Sequence, residues 1–569
     1  MILSGNAVSE GYALGNAYLF RSSYNKAELA IFEGDSKIHK ERFDEALKTA
    51  AVELEMLISG FDKSDDAGSA IFSAQLEVLY DEEILESIEF AITNEKKMPH
   101  CSVDEVFQRF IDLLSKVKDP LIAARTTDLS DVRNRLLRNL TGEEHQSLSG
   151  LQKPVIIVAD DLLPSDTATL NRSCVLGIIT QIGSETSHTA ILANSYGIPA
   201  IVGVTGAAEI IKDGQELGMD AVAGKIYIEP DILQRDELEK KRKDAIEKNK
   251  RENMLLDKPG KTADGHCVEI GLNIGSTEES EQIVSADFIG LFRTEFLYMK
   301  SMYSPTEDEQ FEVYKSVLEA AASKPVTLRT LDIGGDKTLP YLMLPKEQNP
   351  FMGKRALRLC FENNELFKNQ LRAALRASAS GQLWIMLPMV GSIDDICRAR
   401  RIFDDIKNEM DESHVPYDRD VRFGIMIEIP SIAMIADIAV EYVDFASIGT
   451  NDLCQYFCAV DRMNPELAEY YQSYSPAMIR LLSTIADAFN ASGKPLSVCG
   501  EMAGNEAGAA LLAGMGISKL SMSGNKIGKI KAMLSRYTMS QLQDTVRQAK
   551  KLSTQDEVIK LLKSQLIIE

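Results

Sequence analysis

From about residue 260 onward, short apolar runs rich in β-branched residues alternate with segments of helical periodicity. The runs are Cys267 to Gly275, Phe288 to Phe296, Val326 to Gly334, Leu383 to Val390, Phe423 to Ile429, Phe445 to Leu453, Leu496 to Glu501 and Ser518 to Ser523. Strands that read as near-continuous apolar runs are buried on both faces. Eight of them alternating with helices over residues 260 to 540 predict a closed parallel (β/α)8 TIM barrel. Polar residues fall late in the runs: Asn273, Arg293, Arg329, Asp332, Glu428, Asn451, Asp452 and Cys499. A core needs none of these groups, and burying them unpaired is costly. The C-terminal strand ends of such a barrel hold its active site, so a ring of arginines and carboxylates there predicts a site for an anion and a metal.

The other half of the chain has a different rhythm. Ala7 to Phe20 reads as strand, and strands resume only at Pro154 to Val158. The intervening residues 21 to 143 are helical in period, with runs such as Asp35 to Ile58 and Val103 to Leu114. This organisation predicts an α/β domain made of residues 1–20 and 144–230, interrupted by an α-helical insertion at 21–143. The charge-rich stretch Arg235 to Glu252 predicts a semi-rigid helical linker at 231–259, leading into a barrel domain at 260–569. The tail beyond Met539 reads as amphipathic helix, from which only packing follows.

Composition narrows the class. At 569 residues the chain is long enough for several cores, and a net charge of −23 argues against nucleic acid and anionic membrane as partners. No apolar run approaches the roughly 20 residues of a membrane span. Met1 to Phe20 lacks a basic start followed by an uninterrupted apolar block, so no secretion signal is expected and the chain reads as cytoplasmic. The 8 cysteines lack paired short spacing except Cys454 and Cys458, which have no second pair for zinc, and reduced thiols are the expectation. The acidic run Asp81, Glu82, Glu83, Glu86, Glu89 reads either as a solvated face or as a dock for a basic partner.

The candidate chemistry has two centres. In Gly183-Ser184-Glu185-Thr186-Ser187-His188-Thr189-Ala190, one imidazole sits in a hydroxyl-rich turn directly before a helix. Unpaired backbone N–H groups and a partial positive charge at a helix start stabilise a phosphate, and histidine is a competent nucleophile. The bland alternative is a buried histidine bonded to Thr186 or Ser187. At the second centre, Arg293, Arg329 and Arg462 offer fork-shaped donors suited to phosphate and carboxylate. Glu428 and Asp452 supply carboxylates of the kind that hold magnesium while it also takes substrate oxygens. Together they imply a small phosphorylated carboxylic acid. Cys499 at a further strand end is open to two readings, a proton donor to carbon or a small buried hydrophobe.

These stretches resemble the phosphoenolpyruvate-protein phosphotransferases, enzyme I of the bacterial sugar phosphotransferase system. The matching segments are Gly183 to Thr189, Gly290 to Phe296 (Gly-Leu-Phe-Arg-Thr-Glu-Phe), Arg329 to Lys337 (Arg-Thr-Leu-Asp-Ile-Gly-Gly-Asp-Lys), Asn349 to Arg358, Ser447 to Leu453 and Cys499 to Gly504. The likeness runs from the first residues to about residue 540, in the family's order and spacing. It implies a swivelling phosphohistidine α/β domain bearing His188, and a helical insertion that binds the carrier protein HPr. It also implies a barrel that holds phosphoenolpyruvate on Mg2+ and forms a homodimer. Carried over by position, Arg293, Arg329, Arg355, Asn451, Asp452 and Arg462 bind substrate, Glu428 and Asp452 bind metal, and Cys499 protonates the enolate to give pyruvate.

Five positions depart from the family's usual pattern: Ser184, Glu185, Asn194, Lys354 and Cys454. Losing a cation and gaining an anion near His188 predicts a weaker hold on its phosphate, by about a kcal/mol if partly exposed. His39, His100, His145, His266 and His414 lie outside any comparable motif and read as structural or surface residues. A dikinase or synthase would share the histidine and the barrel but needs an ATP-binding domain. Residues 21–143 are too few for one and lack a Gly-rich phosphate loop.

Overall fold

The computed structural model describes residues 1–20, 30–60, 66–114, 120–142, 148–168, 170–183, 187–276, 278–299, 301, 303–335, 337, 339, 341–342 and 347–566. The chain forms two compact units, Met1–Glu247 and Lys248–Glu569. No helix among the described residues is long and apolar enough to cross a membrane.

The first unit is built on eight strands: β1 (Ile2–Ser4), β2 (Asn6–Ser9), β3 (Tyr12–Phe20), β4 (Val155–Ala159), β5 (Val175–Thr180), β6 (Ala200–Val202), β7 (Glu216–Asp220) and β8 (Lys225–Ile228). Their order is β1-β8-β7-β3-β4-β5-β6-β2. The single strand expected over Ala7 to Phe20 is therefore two, β2 and β3, which pair at different places in the sheet. β1 is too short for a periodicity argument to reveal. Gly5 is the one residue between β1 and β2, which are the two edges of the sheet. Two Cα steps span at most about 7 Å, so the sheet curls until its edges nearly meet. Gly5 N–H donates to Gly224 O (3.0 Å), and a Cβ at Gly5 would lie 2.7 Å from Val202 O. Alternate residues feed the two faces: Ile156 and Val158 join one core with Met219 and Ile226, while Ile157 and Ala159 join another with Leu162 and Ala193.

Between β3 and β4 lie five helices, Ser36–Gly60, Asp66–Leu79, Glu82–Thr93, Pro99–Leu114 and Pro120–Thr141. They pack around Phe43, Leu54, Phe72, Ile88, Val103, Phe107, Val132 and Leu137. Two residues of the acidic run have structural duties: Asp81 caps the third helix by accepting from Ile84 N–H (3.1 Å), and Glu89 pairs with Lys40 (2.9 Å). A buried carboxylate ties the insertion to the sheet domain. Asp131 accepts from Gln75 Nε2 (3.0 Å), Ser165 N–H (2.9 Å) and Ser165 Oγ (2.5 Å). The points where the chain leaves and re-enters the sheet domain, near residues 21 and 143, lie outside the described residues.

Ile232–Asn253 is one helix, as its charge-rich pattern predicts, with Leu238 buried beside Gly218. Beyond it, β9 (Glu269–Ile274), β10 (Phe288–Arg293), β11 (Val326–Arg329), β12 (Leu383–Leu387), β13 (Arg422–Ile427), β14 (Phe445–Ile448), β15 (Leu496–Val498) and β16 (Lys519–Met522) close into a parallel barrel. The seam is Lys519 to Met522 of β16 against Glu269 to Leu272 of β9. Leu291, Met386, Met426, Phe445 and Cys499 pack inside, with Trp384 against them. All eight strands fall within the expected runs apart from Arg422, which adds a residue to β13, but most are shorter. The apolar residues beyond them belong to loops and helices that pack back on the barrel; Leu453, for example, lies in the helix Thr450–Cys458. The tail is two helices, Met539–Ala549 and Gln555–Gln565, each opened by a reciprocal capping box at Thr538 and Thr554.

Candidate active site

The shortening of the strands places the polar residues. Arg293 and Arg329 end β10 and β11, while Asp332, Glu428 and Cys499 stand just past β11, β13 and β15. Asn451 and Asp452, expected on a strand end, instead occupy the first turn of the helix Thr450–Cys458. Gly500 lets this helix approach the end of β15: a Cβ there would lie 1.9 Å from Thr450 Oγ1 and 2.8 Å from Thr450 N. Arg293, Arg329, Arg355, Glu428, Asn451, Asp452, Arg462 and Cys499 all line one cavity of about 620 Å³ at this end of the barrel. Asn273 does not; it supports the site by donating to Cys499 O (3.0 Å) and accepting from Ser521 Oγ (2.6 Å).

The charges are interlocked. Arg329 pairs with Glu295 (2.8 Å) and Asp332 (3.1 Å), and Arg355 pairs with Asp332 (2.9 Å) and Asp452 (3.3 Å). Burial opposes charge on both arginines, but Glu295 and Asp332 around Arg329, and Asp332 and Asp452 around Arg355, outweigh it and hold both protonated. Burial likewise opposes charge on Asp332, and the two guanidinium groups overcome it, keeping that carboxyl below the usual carboxylate range. Arg355 also donates to Tyr456 Oη (3.2 Å), which donates to Phe351 O (2.5 Å). Asn451 and Glu501 exchange two hydrogen bonds: Asn451 Nδ2 donates to Glu501 Oε1 (3.2 Å), and Glu501 N–H to Asn451 Oδ1 (3.0 Å).

Two carboxylates retain unused capacity. Glu428 is 1% exposed, and its Oε1 accepts from Met389 N–H (2.5 Å), at a residue with φ of 55°. Burial, together with the charges of Asp452 and Asp332, pushes its carboxyl up to about 8. Asp452 Oδ1 lies 3.4 Å from Arg462 Nη2 yet accepts no hydrogen bond although it is buried. A hard divalent cation between these two carboxylates would relieve both the crowding of negative charge and the orphaned oxygen, so the donor set fits magnesium. The Cys499 thiol is buried against Ile448 O (3.8 Å), and burial raises its pKa.

In the first unit, His188 opens the helix His188–Tyr196. Ser187 is its N-cap, accepting from Ala190 N–H (3.3 Å). Ser184, Glu185 and Thr186 lie outside the described residues. Thr189 is fully buried, with Oγ1 facing Asp161 Oδ1 (3.4 Å) and Leu162 O (3.5 Å). Asn194 donates to Val8 O (2.6 Å) and Ala190 O (3.1 Å), tying the helix to β2. Lys354 pairs with Glu362 (2.9 Å). Of the other histidines, His39 stacks on Phe32 (3.9 Å) and His266 lies 3.3 Å from Asp264; His145 is outside the described residues.

Sequence reasoning missed Glu295, Tyr456 and the scaffold beneath them. Glu295 is 1% exposed and accepts from both Arg329 Nη2 and Asp332 N–H (3.1 Å). Gln370 bridges Thr294 Oγ1 (3.0 Å), Tyr314 Oη (3.2 Å) and Leu331 N–H (2.8 Å), fixing the ends of β10 and β11. The one available signal was Glu295 itself, a carboxylate two residues after Arg293 in an otherwise apolar run.

Comparison with known proteins places these features in a family. Three domain profiles match: "PEP-utilising enzyme, N-terminal" over residues 4–125, "PEP-utilising enzyme, mobile domain" over 151–224, and "PEP-utilising enzyme, PEP-binding domain" over 249–539. The phosphoenolpyruvate-protein phosphotransferase of Staphylococcus carnosus (strain TM300) is 40% identical over 564 residues, 98% of either chain. That of Bacillus subtilis (strain 168) is 39% identical over 569 residues, 99% of either chain. A solution NMR structure of an Enzyme I protein covers 43% of this chain and 99% of its own, at 31% identity and a TM-score of 0.37.

Proposed function

The chain belongs to the phosphoenolpyruvate-protein phosphotransferase family, and from that premise we propose that His188 takes the phosphoryl group of phosphoenolpyruvate, releases pyruvate, and passes the group to a histidine of the carrier HPr. The observation that carries this reading is the cavity at the barrel end. It gathers four arginine forks and two carboxylates with capacity to spare, which suits a phosphate and a carboxylate on one small molecule.

Arg293, Arg329 and Arg462 bind the anionic oxygens, and Arg355, braced by Asp332 and Tyr456, completes the positive wall. Glu428 and Asp452 would hold magnesium, which when bound neutralises charge on phosphoryl and carboxylate oxygens. Asp452 is paired to Arg355 and Arg462, so anionic substrate oxygens would compete with it for these two arginines. An imidazole nitrogen of His188 attacks phosphorus in line; the N–P bond forms as the bond from phosphorus to the enol oxygen breaks. Positioning and charge stabilisation supply most of what phosphoryl transfer requires. The enolate left behind takes a proton at its terminal carbon from Cys499, whose raised pKa keeps the thiol protonated until needed. Phosphohistidine is held at the start of its helix, where N–H groups face outward.

Residues 21–143 are the HPr dock in this reading, residues 1–20 with 144–230 carry His188, 231–259 is the linker on which His188 travels, and 260–569 binds phosphoenolpyruvate and forms the homodimer. The work is cytoplasmic, where phosphoenolpyruvate and reduced thiols are found. Incubating the chain with 32P-labelled phosphoenolpyruvate and Mg2+ tests the reading. We expect acid-labile label on His188 that chases onto added HPr, and none on His188→Ala. Label persisting on His188→Ala, or absent from the parent protein, overturns it.

A further inference from the structure

Cys454 and Cys458 are four residues apart on the helix Thr450–Cys458, with their sulfurs 3.9 Å apart and both thiols free. Cys454 is fully buried. Cys458 is partly exposed, is the last helical residue, and opens onto a cavity of about 730 Å³ that also meets Phe457, Tyr470 and Arg480. Ala459 follows in the left-handed conformation, φ 53°, so regular helix ends there, and Phe457 and Cys458 of its last turn are only partly buried. We infer that this dithiol is an oxidation site that switches the active-site helix off. The inference rests on the functional reading above for what is switched, and on the sulfur geometry alone for the chemistry.

A low-molecular-weight disulfide supplies the oxidising equivalents. The Cys458 thiolate attacks one of its sulfurs, forming a mixed disulfide and releasing one thiolate. The Cys454 sulfur, losing its proton, then displaces the second thiolate from Cys458. Two protein thiols are oxidised by two electrons, one small disulfide is reduced to two thiols, and the two protons pass to those leaving groups. The Cys454–Cys458 bond needs the sulfurs at about 2.05 Å and Cβ atoms about 3.5–4.5 Å apart. Positions i and i+4 of a regular helix hold Cβ atoms about 5–6 Å apart. The last turn therefore has to deform, and Gln455 and Tyr456 lie inside the closed loop. Gln455 accepts from Arg462 N–H (3.1 Å) and Tyr456 from Arg355 (3.2 Å), so the deformation is delivered to two arginines of the cavity.

The full chain treated with oxidised glutathione tests this, read by peptide mapping and by phosphoenolpyruvate-dependent label uptake. We expect a Cys454–Cys458 cross-link, at least a tenfold fall in the rate of uptake, and recovery on adding dithiothreitol. Cys458→Ser and Cys454→Ser should keep their rates through the same treatment. Absence of the cross-link, a cross-link with the rate unchanged, or an equal loss in Cys458→Ser overturns the inference. Label uptake by the reduced parent protein reports the underlying function separately, because the cross-link is read without it.

Discussion

Replacing Glu295 by Ala asks how much of the cavity depends on a residue that does not line it. Glu295 and Arg329 are both buried with 2.8 Å between charged atoms, so at an effective dielectric constant of 20 their gross attraction is about 6 kcal/mol. Removing the carboxylate also removes its own desolvation cost, and Asp332 still pairs with Arg329 at 3.1 Å. A net loss of about 3 kcal/mol, the low end of the range for breaking a buried pair, follows. Trp384 is the only tryptophan of the chain, sits in β12, and packs 4.8 Å from the Phe445 ring. Its fluorescence during urea unfolding of the intact protein therefore follows the barrel rather than the first unit. Arg329, held from one side only, should also bind phosphoenolpyruvate at least tenfold more weakly. Glu295→Gln keeps an oxygen for Asp332 N–H but places an amide donor where Glu295 Oε2 has no partner, and should fall between parent and Ala. A Glu295→Ala barrel within 1 kcal/mol of the parent, with unaltered substrate affinity, refutes the reasoning.

Gly500→Ala drives a Cβ into Thr450 and should cut turnover at least tenfold by displacing Asn451 and Asp452 while the Trp384 signal stays native; unchanged kinetics would show that the helix moves freely. Asp332 has a depressed carboxyl pKa, so its unfolded form binds the extra proton first; the stability it contributes is present above about pH 4 and is lost as pH falls through the folded value. Urea midpoints measured from pH 5 to pH 2 should fall, and Asp332→Asn should flatten that slope while lowering stability at pH 5; identical slopes refute the assignment. Cys499→Ala should bind phosphoenolpyruvate as the parent does but release pyruvate slowly, since the thiol supplies a proton and not a hold on the substrate. Unaltered pyruvate release would leave Cys499 as packing.

The barrel was legible in the sequence because strands buried on both faces cannot hide their composition, and polar residues interrupting them late in each run are costly unless they serve the mouth. Strand ends were not legible. The run Phe445 to Leu453 carries its polar residues Asn451 and Asp452 late, as a strand end at the barrel mouth would, although the chain has already turned into helix there. Glu295 was missed for a related reason: its partners come from β11 and the loop after it, and no local period links positions 34 and 37 residues apart. In the first unit the helices announced themselves, whereas the split between β2 and β3 depends on pairing with strands some 190 residues away.

The seam at Gly5 has a consequence for biosynthesis. The first nine residues form both edges of the curled sheet, and their partners, β6 and β8, leave the ribosome only after residues 200 and 225 have been added. The five helices from Ser36 to Thr141 contact one another locally and have no such wait. During vectorial synthesis the inserted domain is therefore complete before the strands that precede it have partners to pair with. The Met1 amino group, which donates to Ile228 O (3.2 Å), belongs to an edge whose partner strand lies more than 200 residues further along the chain.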